Sequence, residues 1–240
     1  MRSNSGRYEV VVPFGAGYTI RESGRYRIDP PVFETVRVIG APEGTVRVVY
    51  RSVGGRLWFR IERARSDQGG NAGWPCWVDQ AAMARVSDAA AIDLGQAAAG
   101  QPPAAVIAAS WGTGLSSDGD GRIDGTTDLA TTLGLVSSKF LVAAGVDPQA
   151  DDVVPASFTV RDGVLRGYEV SLADVPEAIE AGGSELPEEL HDLDTLPGAI
   201  ASRFLDTGAP VEVEAPPMGQ RLRFRSAADF ETAMRSCGDG

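Results

Sequence analysis

The stretch TVRVVYRSVGGRLWFRIERA, residues 45–64, decides the fold class. Two runs of β-branched and aromatic residues flank Gly54-Gly55, and such a glycine pair marks a two-residue hairpin turn of the primed type. Counting outward from the turn pairs Tyr50 with Phe59 and Val48 with Ile61. Side chains alternate along a strand, so Val46, Val48, Tyr50, Leu57, Phe59 and Ile61 share one face. The opposite face takes Arg47, Arg51, Arg56 and Arg60, with Val49 and Trp58 between them. One dry face against a largely wet one predicts an antiparallel sheet covered on a single side.

Upstream, YEVVV, GYTIRES, GRYRI and FETVRVIG read as further strands between turn signals. Downstream, SDQGGNAGWPCWV (66–78) is expected as a Gly-rich loop whose WPCW end re-enters packed structure. Three helical segments follow. DQAAMARVSDAAAIDLGQAAA has Asp79 as a cap, and PPAAVIAASWGTGL has proline in its first turn. In TTDLATTLGLVSSKFLVAAGV, Leu129, Leu133, Val136 and Phe140 form an amphipathic stripe, with Gly145 as the stop.

Strand patterns then return. VVPASFTVRDGVLRGYEVSL is a second hairpin turning at Asp162-Gly163. DVPEAIEAGGSELPEELHDLDTLPGAIA reads as acidic, surface-lying chain. SRFLDTGAPVEVEAPP (202–217) reads as two short strands about Gly208, and the tail as a strand and a short helix. Strands, a helical block and strands again, without βαβ alternation, predict one α+β domain over residues 1–240. Its helices gather on one face of a curved antiparallel sheet.

Composition narrows the function classes. The 240 residues are 43% apolar with a net charge of -11, a globular and acidic chain. That charge opposes a nucleic-acid partner and electrostatic docking on anionic lipid, but not an apolar ligand. Lys139 is the only lysine, a mark of GC-rich coding. No apolar run reaches the ~18–20 residues of a membrane span, and MRSNSGRYEVVV is not a signal peptide. An export signal or lipid anchor, if the protein has one, is expected outside this chain. The two cysteines, Cys76 and Cys237, lie in no zinc spacing; one disulfide fits them, and so do two buried thiols.

The candidate chemistries are weak. SSDGDGRIDGTTDL (116–129) resembles a calcium loop, with Asp118, Asp120 and Asp124 at ligand positions when Gly121 takes the invariant glycine position. Ser116 and Thr127 then stand where the first ligand and the bidentate glutamate belong, so a Gly/Asp turn and a helix cap at Thr127 or Asp128 are expected instead. His191, the only histidine, sits in the acidic ELHDLD stretch with no nucleophile signature beside it. No catalytic residue, cofactor or metal is expected.

Several segments together resemble a known family. SGRYRIDPPVFETVRVIG, VRVVYRSVGGRLWFRI, RIDGTTDL, VPASFTVRDGVLRGYEV and FLDTGAPVEVEAPP follow in order over residues 18–217. They resemble the LolA-like envelope lipoproteins of the actinobacterial LppX and LprG type, with residues 218–240 as an extension. The resemblance implies a strongly curved half-barrel with helices on its concave face. It also implies an apolar cavity that carries a lipid or acylated glycolipid in the cell envelope, outside the cytoplasm, without catalysis. The cavity is expected to be lined by Val46, Val48, Tyr50, Leu57, Phe59, Ile61, Leu129, Leu133, Val136 and Phe140. An envelope structural or stress-sensor domain that binds a protein partner is the alternative, and a calcium-binding module the weaker one.

Overall fold

The computed structural model describes residues 4–13, 19–41, 44–64, 74–86, 100–110, 112–117, 121–136, 151–183 and 198–237. Among the described residues, eleven strands form one antiparallel sheet. Six come first: β1 (Ser5–Pro13), β2 (Thr19–Arg27), β3 (Val32–Ala41), β4 (Gly44–Val53), β5 (Arg56–Ala64) and β6 (Trp74–Asp79). Helices α1 (Gln80–Met83) and α2 (Ala104–Ser110) follow, then β7 (Thr113–Ser117), β8 (Arg122–Asp128) and α3 (Leu129–Val136). The chain continues through β9 (Val153–Arg161), β10 (Val164–Ser171), α4 (Val175–Ala181), β11 (Ala199–Leu205) and α5 (Ala227–Ser236).

The spatial order is β6-β5-β4-β3-β2-β1-β11-β10-β9-β8-β7. Two meanders thus meet where the first strand pairs the last, and β6 and β7 stand at opposite edges. The fold is α+β, with a large sheet and, among the described residues, few helices.

The register read from the opening hairpin holds. Tyr50 faces Phe59 and Val48 faces Ile61. Gly54 and Gly55 sit at φ 60° and 71°, the left-handed pair that a type I′ turn requires. Asp162 and Gly163, at φ 54° and 70°, do the same between β9 and β10. Alternation is cleanest in β1, where Tyr8, Val10 and Val12 are buried while Arg7, Glu9 and Val11 are exposed.

Several expectations are corrected. GYTIRES and GRYRI are one strand, because Ser23-Gly24 stays in register with both neighbours instead of turning. WPCW is not the end of a loop but the edge strand β6, where Pro75 is tolerated. The helix begun at PPAAVI stops at Ser110, and the following residues form β7 with Gly114 at φ 62°. DVPEAIEA is not surface chain. It folds as α4 and buries Val175, Ala178 and Ile179, a helical spacing hidden by the surrounding acidity. Of the long helical pattern after Asp79, α1 is one turn capped by the Asp79 carboxylate, and residues 87–99 lie outside the described residues.

The face opposite the helices is not largely wet either. Beyond β11, VEVEAPP is no second strand of the sheet; it is a strap laid across that face. Gly208 donates its backbone N–H to Ser5 at 2.8 Å, and Ser5 Oγ donates to the Ala209 carbonyl at 2.8 Å. Val211 and Val213 pack with Val32, and Ala215 packs on Val49, Trp58 and Trp77. Arg51 and Arg60 lie over the Trp77 ring at 4.8 and 5.0 Å, and Arg56 and Arg221 over Trp58 at 5.1 and 5.2 Å. Of the arginines expected to be solvated, Arg51, Arg56 and Arg60 lid the indoles in a cation–π arrangement, while Arg47 pairs with Glu62.

The strap ends at the β6 edge. Leu222 N–H donates to the Trp77 carbonyl at 2.8 Å, giving the edge a partner that blunts further strand addition. Leu222, Phe224 and Phe230 then pack against the main core. A disulfide joins Cys76 on β6 to Cys237 at the end of α5, settling the two-thiol alternative for the bridge.

Candidate functional site

The helix-covered face of the sheet carries the predicted residues. Val48, Tyr50, Leu57, Phe59, Leu129, Leu133 and Val136 are buried in one apolar cluster, against which Val46 and Ile61 pack half-buried. Strand alternation supplies the first group and the α3 spacing supplies the second. Phe140 lies outside the described residues, as do His191 and Gly145. Burying a large apolar side chain contributes about 1.5–3 kcal/mol, so this shared wall is a main source of cohesion between helices and sheet.

Directly paired residues draw a straight row across this face. Ile61, Val48, Arg37, Glu22, Val10, Ser202, Tyr168, Phe158 and Ile123 each face the next on the neighbouring strand. Both ends of the row are apolar, and its middle carries the polar groups of Arg37, Glu22 and Ser202 around Val10. Sequence reading overlooked this stripe. The signal was present: Arg37 is in phase with Phe33 and Ile39, and Glu22 with Ile20 and Tyr26.

The polar middle is a connected network. Arg37 Nη1 stands 3.5 Å from Glu22 Oε2, with the two side chains 4% and 11% exposed. Tyr8 donates its hydroxyl to Glu22 Oε1 at 2.7 Å. That proton is then committed, so the 2.8 Å contact between Tyr8 and Thr35 has the Thr35 hydroxyl as donor. Arg37 Nη2 donates to the Leu135 carbonyl at 2.9 Å and also to that of Val136. It thereby fastens two backbone carbonyls of α3 to the sheet. Burial, reinforced by the Glu22 charge, raises the Tyr8 phenol well above its ordinary pKa. Burial raises Tyr168 as well, with Glu22 adding to it. Both phenols therefore stay neutral hydrogen-bonding groups at physiological pH.

Gly24 makes the network possible. A Cβ there would meet the Glu34 carbonyl at 2.6 Å, the Tyr8 ring at 2.8 Å and Thr35 Oγ1 at 2.9 Å. Only a residue without a side chain lets the Tyr8 ring cross β2 to reach Thr35 on β3.

A cavity of about 20 Å³ lies between this network and the helices. Tyr8, Glu22, Phe33, Thr35, Arg37 and Tyr50 line it from the sheet, with the start of α2 and the end of α3 above. Arg37 Nε, buried at this site, has no hydrogen-bond partner among the described residues.

The calcium-like loop has other employment. Asp128 caps α3, its Oδ2 accepting from Thr131 N–H at 2.5 Å, while Thr127 donates to the Ala108 carbonyl at 2.7 Å. Asp124 accepts from Ser157 at 2.6 Å and from Arg122 at 3.3 Å, and these bonds lower its pKa. Asp118 and Asp120 lie outside the described residues. Among the described residues, no three His, Cys, Asp or Glu side chains group to hold a metal.

No family model and no curated protein matches the chain.

Proposed function

We propose that this protein is a non-enzymatic binder and carrier of a lipid or acylated glycolipid in the cell envelope, built as a half-barrel around an apolar interior. The reading rests on the LolA-like sequence resemblance and on one structural observation. Gly100 N–H donates to Ser52 Oγ on β4 at 3.3 Å, and eight residues later the Ala108 carbonyl accepts from Thr127 at the end of β8. Strands β4 and β8 are seven inter-strand steps apart, ~33 Å in a flat sheet. The chain from Gly100 to Ala108, partly helical, spans at most ~20 Å. Bending the sheet toward its helices closes that difference.

Such a bend turns the wall of Val48, Tyr50, Leu57 and Phe59 toward α3 across an interior instead of spreading it flat. Hydrocarbon enters by displacing the covering helices α2 and α3 and not by unfolding the sheet. The Cys76–Cys237 disulfide supports an oxidising, extracytoplasmic setting. No described helix is long and apolar enough to cross a membrane, so attachment to one would use a tether or a docking partner.

The test is extraction. Protein purified without detergent is passed through gel filtration, extracted with organic solvent, and the extract examined by mass spectrometry. A lipid near one equivalent per chain supports the reading. A chain that yields none, before and after incubation with envelope lipids, rejects it.

A further inference from the structure

We propose that the cavity beside Arg37 seats a single uncharged oxygen of the ligand, an ester or hydroxyl flanked by hydrocarbon on both sides; this rests on the carrier reading above. Three observations converge on that chemistry.

Size comes first. A space of about 20 Å³ admits one water-sized group, enough for a carbonyl or hydroxyl oxygen and too little for a phosphate. The donor inventory comes second. Tyr8 and Thr35 direct their hydroxyl protons within the network, and Arg37 Nη2 is committed to the α3 carbonyls. Arg37 Nε remains a buried donor with no partner among the described residues, one that an oxygen acceptor would satisfy. Charge comes third. Glu22 already neutralises Arg37, and the Leu135 and Val136 carbonyls add negative ends beside it. A carboxylate head would be an additional buried charge without a counter-ion, which is costly; a neutral oxygen adds none. The cross-strand row fixes the rest of the ligand. Val48 and Ile61 extend from one side of the polar middle, and Phe158 and Ile123 from the other. Hydrocarbon is therefore welcome on both sides of the oxygen.

The experiment is a one-pot competition. Full-length protein is incubated with equal amounts of octyl decanoate, nonadecane and octadecanoic acid, which are matched in chain length. The complex is isolated by gel filtration, extracted, and its contents quantified by gas chromatography. A hydrogen bond to a charged donor corresponds to about a tenfold preference, so the ester is expected to exceed both competitors by about that factor. In Arg37→Lys, which keeps the charge opposite Glu22 but removes Nε, the ester-to-alkane ratio is expected to fall to within about twofold. Thermal melting of the variant reports whether it is folded; if it is not, the wild-type ratios decide alone. Ester and alkane retained equally by the wild type, or the acid retained most, overturns this inference and leaves the carrier reading standing. Retention of none of the three overturns both.

Discussion

Arg37 on β3 donates through Nη2 to the Leu135 carbonyl at 2.9 Å, so a side chain from the middle of the sheet fastens the last turn of α3. The same guanidinium faces Glu22 directly across the β2–β3 ladder. Removing one member of a buried ion pair strands the other. Arg37→Leu is therefore expected to cost about 3–5 kcal/mol in urea unfolding. Glu22→Leu combined with Arg37→Leu is expected to be more stable than the single variant. An unchanged midpoint for Arg37→Leu alone would remove the network from the account of stability.

Two glycines on adjacent strands give a matched comparison. Gly24→Ala forces a Cβ against backbone and the Tyr8 ring at under 3 Å, and overpacking of this kind costs about 1–3 kcal/mol. Gly40→Ala meets only the Thr19 carbonyl at 3.7 Å and is expected to be neutral or slightly stabilising. Equal effects on melting would refute the role given to Gly24.

The disulfide closes a separation of 161 residues and pins the strap that covers Trp58 and Trp77. Cys76→Ser with Cys237→Ser is expected to lose about 2–5 kcal/mol. Brief trypsin treatment of this variant should trim the C-terminal segment at Arg225 and Arg235 before it attacks the sheet. With its C-terminal anchor trimmed away, the strap should lift from Trp58 and Trp77 and tryptophan emission should shift to the red. Simultaneous digestion of the whole chain would contradict the strap's separate attachment.

Glu34 accepts from Arg25 at 2.7 Å and from Arg51 at 2.6 Å on the strap face. Burial raises its pKa, but the two arginines together outweigh that and hold it below the ordinary carboxylate value. A lowered folded-state pKa means stabilisation that is present above the unfolded value, near 4.3, and lost as pH falls through the folded one. Glu34→Gln is expected to be less stable than wild type by about 0.5–1 kcal/mol at neutral pH, with the gap closing on acidification below ~4. A pH-independent gap would show that packing, not charge, is what the variant removes.

The sheet was legible where residue pattern and turn chemistry agreed. Gly54-Gly55 and Asp162-Gly163 set both hairpin registers, and alternation then named the buried face. Leu129, Leu133 and Val136 were legible for the same reason at helical period. The polar stripe was not, because Arg37 and Glu22 become partners only through the β2–β3 register, which runs through a less diagnostic turn at Ile28–Pro31. The strap was misread as a strand pair since VEVEAPP alternates like one, although its valines meet Val32 instead of a strand neighbour. Trp58 looked solvated among arginines, because cation–π stacking leaves no mark in hydropathy.

The central claim is that the helix-covered face encloses lipid, and detergent-free purification followed by native mass spectrometry tests it most directly. The account predicts a protein peak carrying one lipid mass, which disappears on organic extraction and returns on incubation with envelope lipids. A single ligand-free mass under all three conditions would contradict it.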